Sequence, residues 1–362
     1  MPRNVLVIAE AGVNHNGSLD LALQMVDAAA DAGADAVKFQ TFTAQNLVSV
    51  TAPKASYQKQ STDPDESQFE MLKSLEISVE DHLALMQACD KRAIAFLSSA
   101  FDHQSLALLN GTLGLSSIKF GSGELTNAPL LYDAARRGCE IMISSGMAGL
   151  GEIEKALQVL ALGYGDNAPD LPQPEDFVAA WADPERRSAL RERVTLFHCT
   201  SQYPAPFNAV NLRAMNTIKA AFGVNIGYSD HTSGTIVSVA AVARGATAIE
   251  KHFTLAKNMP GPDHAASLEP DELKQMVDDI RCVSSALGYP VKNIAPCEFD
   301  TALVAKKSIV AATNIEIGDR FSEQNLTIKR PGTGMTPDKY WMLLNQHATS
   351  SYEMDDLIKE DG

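Results

Sequence analysis

Apolar residues fall in short runs rather than in one long periodic stretch. VLVIA (5–9), AVKFQ (36–40), IAFLSS (94–99) and SIKFG (117–121) are β-branched or aromatic, and EIMISS (140–145), VTLFHCT (194–200), VNIGYS (224–229) and AIEKHF (248–253) repeat the pattern. Segments with helical spacing separate them. Near-continuously apolar strands alternating with helices are what a parallel sheet covered by helices requires, and eight such units predict a closed (β/α)8 barrel. In DAGADAVKF (31–39) and ARGATAIEKHF (243–253) a glycine stands just past a helix, so Gly33 and Gly245 suit the left-handed position where a Cβ is penalised. Two insertions interrupt the rhythm. Residues 41–76 follow the second strand and are expected at the face where barrel active sites are built, whereas the Pro- and acid-rich stretch 164–193 joins a helix to the sixth strand and belongs to the opposite face. A helix over 270–287 ends the barrel domain at residue 288. GYPVKNIAPCEFD supplies a Gly/Pro-punctuated linker over 289–300, and residues 301–362 read as a small domain of short strands and turns. Its apolar content is too low for a large core of its own, and it is expected to dock on a partner surface.

Composition agrees with this division. The chain has 362 residues, 45% hydrophobic and 21% charged, and a barrel of about 250 residues leaves about 100 for a second domain. Thirty Lys and Arg against 45 Asp and Glu give a formal charge of −15, which argues against nucleic acid or an anionic membrane as partner. Any anionic substrate must therefore be held by a local cluster. Five cysteines (Cys89, Cys139, Cys199, Cys282, Cys297) form no CxxC pair, which points to a reducing cytoplasm rather than a disulfide framework or thiolate zinc site. The apolar run before Glu10 is too short for a signal peptide, and no later run reaches the roughly 18 residues of a membrane helix.

Polar residues that do not belong in a barrel core recur at strand C-terminal ends, where βα loops build active sites. In order they are Glu10, Lys38 with Gln40, Ser98 and Ser99, Lys119 with Ser122 and Glu124, Ser144, Tyr203, Ser229 with His231, and His252. Lys38 and Lys119 supply positive charge. FGSGE (120–124) and SSGM (144–147) add hydroxyls and glycine-permitted backbone N–H groups suited to an anion. With no GxGxxG or Walker loop, a small phosphorylated carboxylate fits better than a nucleotide. His231 and His252 end neighbouring strands about 4.8 Å apart; two imidazoles without thiolates suit an octahedral Mn²⁺- or Mg²⁺-like ion, although satisfied core histidines would look the same. Asp263 and His264, in the loop after the eighth strand, stand where they could complete such a site. Glu10 and Glu124 are candidate proton handlers. His198 and Cys199, adjacent on one strand, point to opposite faces and form no dyad, so Cys199 reads as packing. Two other readings compete: a Schiff-base aldolase on Lys119 or Lys38, and a non-catalytic carbohydrate- or ice-binding module in the small domain, against which residues 301–362 show no flat repeat.

Taken together the motifs resemble the sialic acid synthase family. The likeness runs through IAEAGVNHNG (8–17), DAVKFQT (35–41), IKFGSGE (118–124), ISSGM (143–147), HCTSQYPAP (198–206), GYSDHT (227–232), IEKHFT (249–254), GPDHAASLEP (261–270) and KRPGTG (329–334). The resemblance implies a TIM barrel followed by a C-terminal antifreeze-like (SAF) domain, and a domain-swapped homodimer in which that domain caps the partner's barrel. It implies condensation of phosphoenolpyruvate with an N-acetylated mannose-type sugar. Phosphoenolpyruvate falls to Lys38, Ser99, Lys119, Ser122, Ser144 and Ser229, and a divalent metal, Mn²⁺ before Mg²⁺ or Co²⁺, to His231 and His252. The sugar falls to Gln40, Glu124, Tyr203 and Asp263, with Arg330 arriving from the partner's cap, and Glu10 lies near the water and metal. Two departures stand out: Ser98-Ser99-Ala100-Phe101 replaces the family's Ser-Thr-Pro-Phe, and Ser201 stands where N-acetylneuraminate-forming members carry Asn. With APKASYQ (52–58), ESQFEMLKSLE (66–76) and the Thr of KRPGTG, the chain is more similar to the branch acting on 2,4-diacetamido-2,4,6-trideoxymannose to give N,N′-diacetyllegionaminate. The alternative is N-acetylneuraminate from N-acetylmannosamine.

Overall fold

The eight apolar runs become eight parallel strands: β1 (Leu6–Gly12), β2 (Ala36–Thr41), β3 (Ala95–Ala100), β4 (Ser117–Phe120), β5 (Glu140–Ser144), β6 (Val194–His198), β7 (Asn225–Asp230) and β8 (Ala248–His252). They pair in chain order and β8 closes on β1, forming the barrel that the strand–helix alternation predicts. The structure is a computed structural model describing residues 5–54 and 66–359, so most of the APKASYQ segment lies outside the described residues. Gly33 and Gly245 adopt φ of +80° and +95° at the helix-to-strand joints, where a Cβ would be strained.

Two apolar layers hold the barrel. The larger lies between strands and helices, with Val7, Val37, Ile118, Ile143, Leu196 and Ile249 facing helix residues such as Met25, Leu131, Leu160 and Ile280. The smaller fills the bore: Ile8, Ala36, Leu97, Phe197 and Ala248 plug its N-terminal half. Gly227 makes room for this plug, because a Cβ there would sit 2.7 Å from the Phe197 ring. Above the plug, toward the strand C-termini, the interior positions are polar.

The insertion after β2 contributes the helix Gln68–Ser74, started by a capping box between Ser67 and Glu70. Its Met71 and Leu75 pack with Val13 and Phe42 into a small apolar cluster. The stretch 164–193 folds into helices Pro174–Ala182 and Pro184–Arg193 leading into β6, anchored by Trp181 edge-on against Phe222 and by buried Ala180 and Leu190.

The chain divides after Gly288 into two compact units. In the second, residues expected as linker are partly helical: Pro296–Glu298 forms a turn and Phe299–Ala305 a short helix, with the Glu298 carboxylate accepting the Ala295 N–H at 2.7 Å. Beyond them β9 (Ser308–Ala311) and β10 (Leu326–Lys329) pair antiparallel over a small core of Ile309, Ile315, Phe321, Leu326, Tyr352 and Ile358. Among the described residues no helix is long and apolar enough to cross a membrane.

Candidate active site

Strand register brings the strand-end residues into one layer. Glu10 of β1 lies opposite Lys38 of β2 and His252 of β8; Gln40 pairs with Ser99, Ser99 with Lys119, and Ser229 with Glu250. Because alternate strand residues share a face, all of these point into the bore. They line a cavity of about 400 Å³ together with Ser122, Ser144, Tyr203, His231 and Asp263. Apolar side chains close one side: Val13, Met71, Leu72, Leu75 and Phe101, three of them from the insertion after β2. A neighbouring depression of about 570 Å³ between the loops after β5 and β6 shares Met147 and Ser201 with this cavity but has no charged side chain in its wall.

The chemistry of the cavity centres on two lysines and two carboxylates, all buried. Lys38 Nζ lies 2.7 Å from Glu10 Oε2 and 3.7 Å from Glu250 Oε2, and it donates to Ser99 Oγ at 3.0 Å. Lys119 Nζ lies 3.5 Å from Glu250 Oε1 and donates to Ser144 Oγ at 2.7 Å. Ser229 Oγ donates to Glu250 Oε1 at 2.9 Å, and Gln40 Nε2 to Glu10 Oε1 at 3.1 Å. The two carboxylates behave differently. Burial drives the Glu10 carboxyl up to about 7, Lys38 opposing and the Glu250 charge reinforcing the rise. Burial also works against ionisation of Glu250, but Lys119, Lys38 and the Ser229 hydroxyl outweigh it and hold the group at about 2. Burial depresses the Lys119 ammonium against the pull of Glu250; for Lys38 it would do the same, but Glu10 and Glu250 keep that group above its ordinary value. With both lysines charged and Glu10 holding its proton, the four groups carry a net positive charge. That is an anion site inside an acidic protein.

His231 and His252 stand beside this cluster with ring centroids 5.7 Å apart, and the Tyr203 ring lies 4.2 Å from His231. His231 Nδ1 donates to the Thr200 carbonyl at 2.7 Å, which fixes the tautomer and leaves Nε2 with a lone pair. His252 Nδ1 is buried without a hydrogen bond and lies 3.8 Å from Asp263 Oδ2. Burial lowers both imidazoles, His252 well below its ordinary value with the neighbouring His231 adding to the effect, and raises Asp263 to about 6. Neutral imidazoles, one with an unbonded Nδ1 (His252) and one whose Nε2 meets Ser229 Oγ at 3.3 Å (His231), beside a carboxylate are the donor types a divalent cation takes. Among the described residues no three His, Cys, Asp or Glu side chains converge closely enough to enclose an ion by themselves, so further ligands would be water and substrate oxygens.

Other residues singled out in the sequence do not line this cavity. Glu124 directly follows Ser122 and Gly123 of the cavity wall, and its carboxylate accepts Asn127 Nδ2 at 2.6 Å. Ser98 points outward into a buried network with Thr41 and His82, as strand alternation demands once Ser99 faces inward. His264 ties its loop to the one after β1, within 2.6 Å of Thr254 Oγ1 and 3.2 Å of Asn16 Oδ1. Arg330 is an exposed residue of the second unit. Cys199 is buried, its Sγ 3.2 Å from Ser122 Oγ and its thiol raised by burial, in keeping with a packing role. Glu250 was missed in the sequence, although its position two residues before His252 in AIEKHF puts both on one face of the strand.

The model of the NeuB family matches residues 25–292. The chain belongs to the NeuB family. Among NeuB relatives it is 47% identical over 358 residues to the N,N'-diacetyllegionaminic acid synthase of Campylobacter jejuni serotype O:2, covering 99% of this chain and 100% of that one. It is 41% identical to the protein of the same name from Legionella pneumophila, over 92% of this chain and 87% of the other. The solved structure of N-acetylneuraminic acid synthetase from Leptospira borgpetersenii superposes with a TM-score of 0.66 at 30% identity, covering 82% of this chain and 90% of that one.

Proposed function

We propose that this NeuB-family chain is a nonulosonic acid synthase that condenses phosphoenolpyruvate with 2,4-diacetamido-2,4,6-trideoxymannose to give N,N′-diacetyllegionaminate and phosphate. The observation that carries the reading is the buried Lys38–Glu10–Glu250–Lys119 cluster with serines on three sides, set beside two neutral histidines at the mouth of a barrel. Lys38, Lys119, Ser99, Ser122, Ser144 and Ser229 are assigned to the phosphate and carboxylate of phosphoenolpyruvate. Gln40, Glu124, Tyr203 and Asp263 are assigned to the sugar, and the apolar wall of Val13, Met71, Leu72, Leu75 and Phe101 suits a 6-deoxy sugar with acetyl methyl groups. We assign Arg330 to the sugar bound in the neighbouring subunit's barrel of a domain-swapped homodimer, with residues 301–362 as an antifreeze-like cap, and place the enzyme in the cytoplasm.

In the reaction C3 of phosphoenolpyruvate bonds to the sugar aldehyde carbon, water adds at C2, and phosphate leaves by C–O cleavage. Glu10, titrating near 7, is suited to take a proton from that water and to hold it while the phosphate leaves. The lysines and serines orient the phosphate as both handle and leaving group. His231 and His252 would hold a divalent ion, Mn²⁺ before Mg²⁺ or Co²⁺, with water and substrate oxygens completing its shell. When bound, such an ion supplies Lewis-acid polarisation of the aldehyde. The second reading, N-acetylneuraminate from N-acetylmannosamine, draws on the likeness to the Leptospira protein.

Phosphate release from phosphoenolpyruvate with Mn²⁺, measured with each sugar and with and without EDTA, tests both. Metal-dependent release favouring the diacetamido sugar is expected. Preference for N-acetylmannosamine selects the second reading, release insensitive to chelator removes the metal, and release with neither sugar refutes the assignment.

A further inference from the structure

Behind the two histidines, on the outward face of the strands, lies a second polar cluster that the proposed reaction does not touch. Asp230 and Lys251 are register partners on β7 and β8. Lys251 Nζ lies 3.1 Å from Asp230 Oδ2, and both side chains are completely buried. Since Ser229, Glu250 and His252 face the cavity, Asp230 and Lys251 face away from it, toward the helix Ile236–Ala243, whose Ser238 donates to Asp230 Oδ2 at 2.6 Å. Parallel barrels ordinarily fill such positions with apolar side chains.

Besides Ser238 and the Tyr228 hydroxyl, at 3.4 Å from Asp230 Oδ1, the pair holds Thr232. Asp230 Oδ1 accepts the Thr232 N–H at 2.9 Å and the Thr232 hydroxyl at 2.8 Å, while Lys251 Nζ donates to the Thr232 carbonyl oxygen. All three polar groups of Thr232 are thus tied to the ion pair. Thr232 directly follows His231, and His252 directly follows Lys251. His231 is held on its other side by its bond to the Thr200 carbonyl.

Stability is a poor explanation for this arrangement. Desolvating two charges costs several kcal/mol each, and apolar residues of similar volume are often as stable or more so. What an apolar pair cannot supply is direction: these bonds leave the chain at 230–232 one orientation, and with it the His231 ring relative to His252. We propose that Asp230 and Lys251, acting through Thr232, are positioning residues that set the His231–His252 geometry and so the affinity for a divalent ion. The inference rests on the reading of those histidines as metal ligands.

Mn²⁺ binding to the full-length protein, followed by electron paramagnetic resonance alongside the melting temperature, tests it. Thr232→Val exchanges the hydroxyl for a methyl group of similar size, and Thr232→Ser restores the hydroxyl. Loss of groups that orient metal ligands weakens binding by about 10–100-fold, so Thr232→Val and Lys251→Met should each raise the Mn²⁺ Kd at least about tenfold, with Thr232→Ser close to wild type. Leu131→Ala, a buried truncation in the helix between β4 and β5, should lower Tm without changing Kd. Wild-type Kd in both Thr232→Val and Lys251→Met overturns the proposal. So does an equal loss in Leu131→Ala, because the effect would then be general loosening. A wild-type protein that binds no Mn²⁺ instead refutes the metal reading, an outcome distinct from either.

Discussion

Glu250→Gln is the most informative single change in the cavity, because it removes a charge while keeping size. The Glu10 and Glu250 Oε2 atoms lie 2.7 and 3.7 Å from the same Lys38 nitrogen, hence within about 6 Å of each other. At an effective dielectric constant of about 20, two charges at that distance repel by about 3 kcal/mol, or about two pKa units. Without the Glu250 charge, Glu10 should ionise about two units lower, near 5 rather than about 7. The assay is a ¹³C titration of the glutamate carboxyls, with the Glu10 signal identified by its loss in Glu10→Gln. If the acid limb of kcat/KM reports Glu10 ionisation, it should move by the same amount wherever turnover survives. A Glu10 midpoint that stays near 7 in the variant would refute the reasoning and leave burial alone as the cause of the raised value.

Four further outcomes are expected. Folded Glu10 keeps a proton between its ordinary 4.5 and about 7 that the unfolded chain has released, so it weakens the fold as pH rises through that window; denaturant midpoints of Glu10→Gln should lack this fall. His252→Ala should lower Mn²⁺ content and turnover together, and wild-type metal content would remove His252 from the ligand set. Arg330→Ala should raise the sugar KM strongly while sparing phosphoenolpyruvate; kinetics showing the reverse would sink its placement. Gly227→Ala brings a methyl group to 2.7 Å from the Phe197 ring beneath Lys119, and should cost about 1–3 kcal/mol in thermal unfolding.

Local pattern determined much of this protein. The eight strands occupy the segments whose apolar runs predict them, Gly33 and Gly245 take the left-handed conformations their joints require, and most polar residues at strand ends reach one cavity. These features were legible because strand alternation and helix-to-strand turns are short-range: a residue's face follows from its neighbours. The tertiary structure decided the rest. Ser98 and Ser99 are chemically alike in the sequence, and only closure of the barrel makes one an outward hydrogen-bond partner and the other a cavity residue. Glu250 reads as an ordinary acidic residue until β8 closes beside β1 and brings it to Lys38 and Lys119, which come from two other strands. The tight turn at 122–126 after β4 sets the Glu124 carboxylate against Asn127, a contact that strand alternation does not show. Ionisation follows the same logic. Two glutamates with the same intrinsic acidity settle near 7 and near 2, because burial and the distance to each lysine are long-range consequences of register, and no local run of residues encodes them.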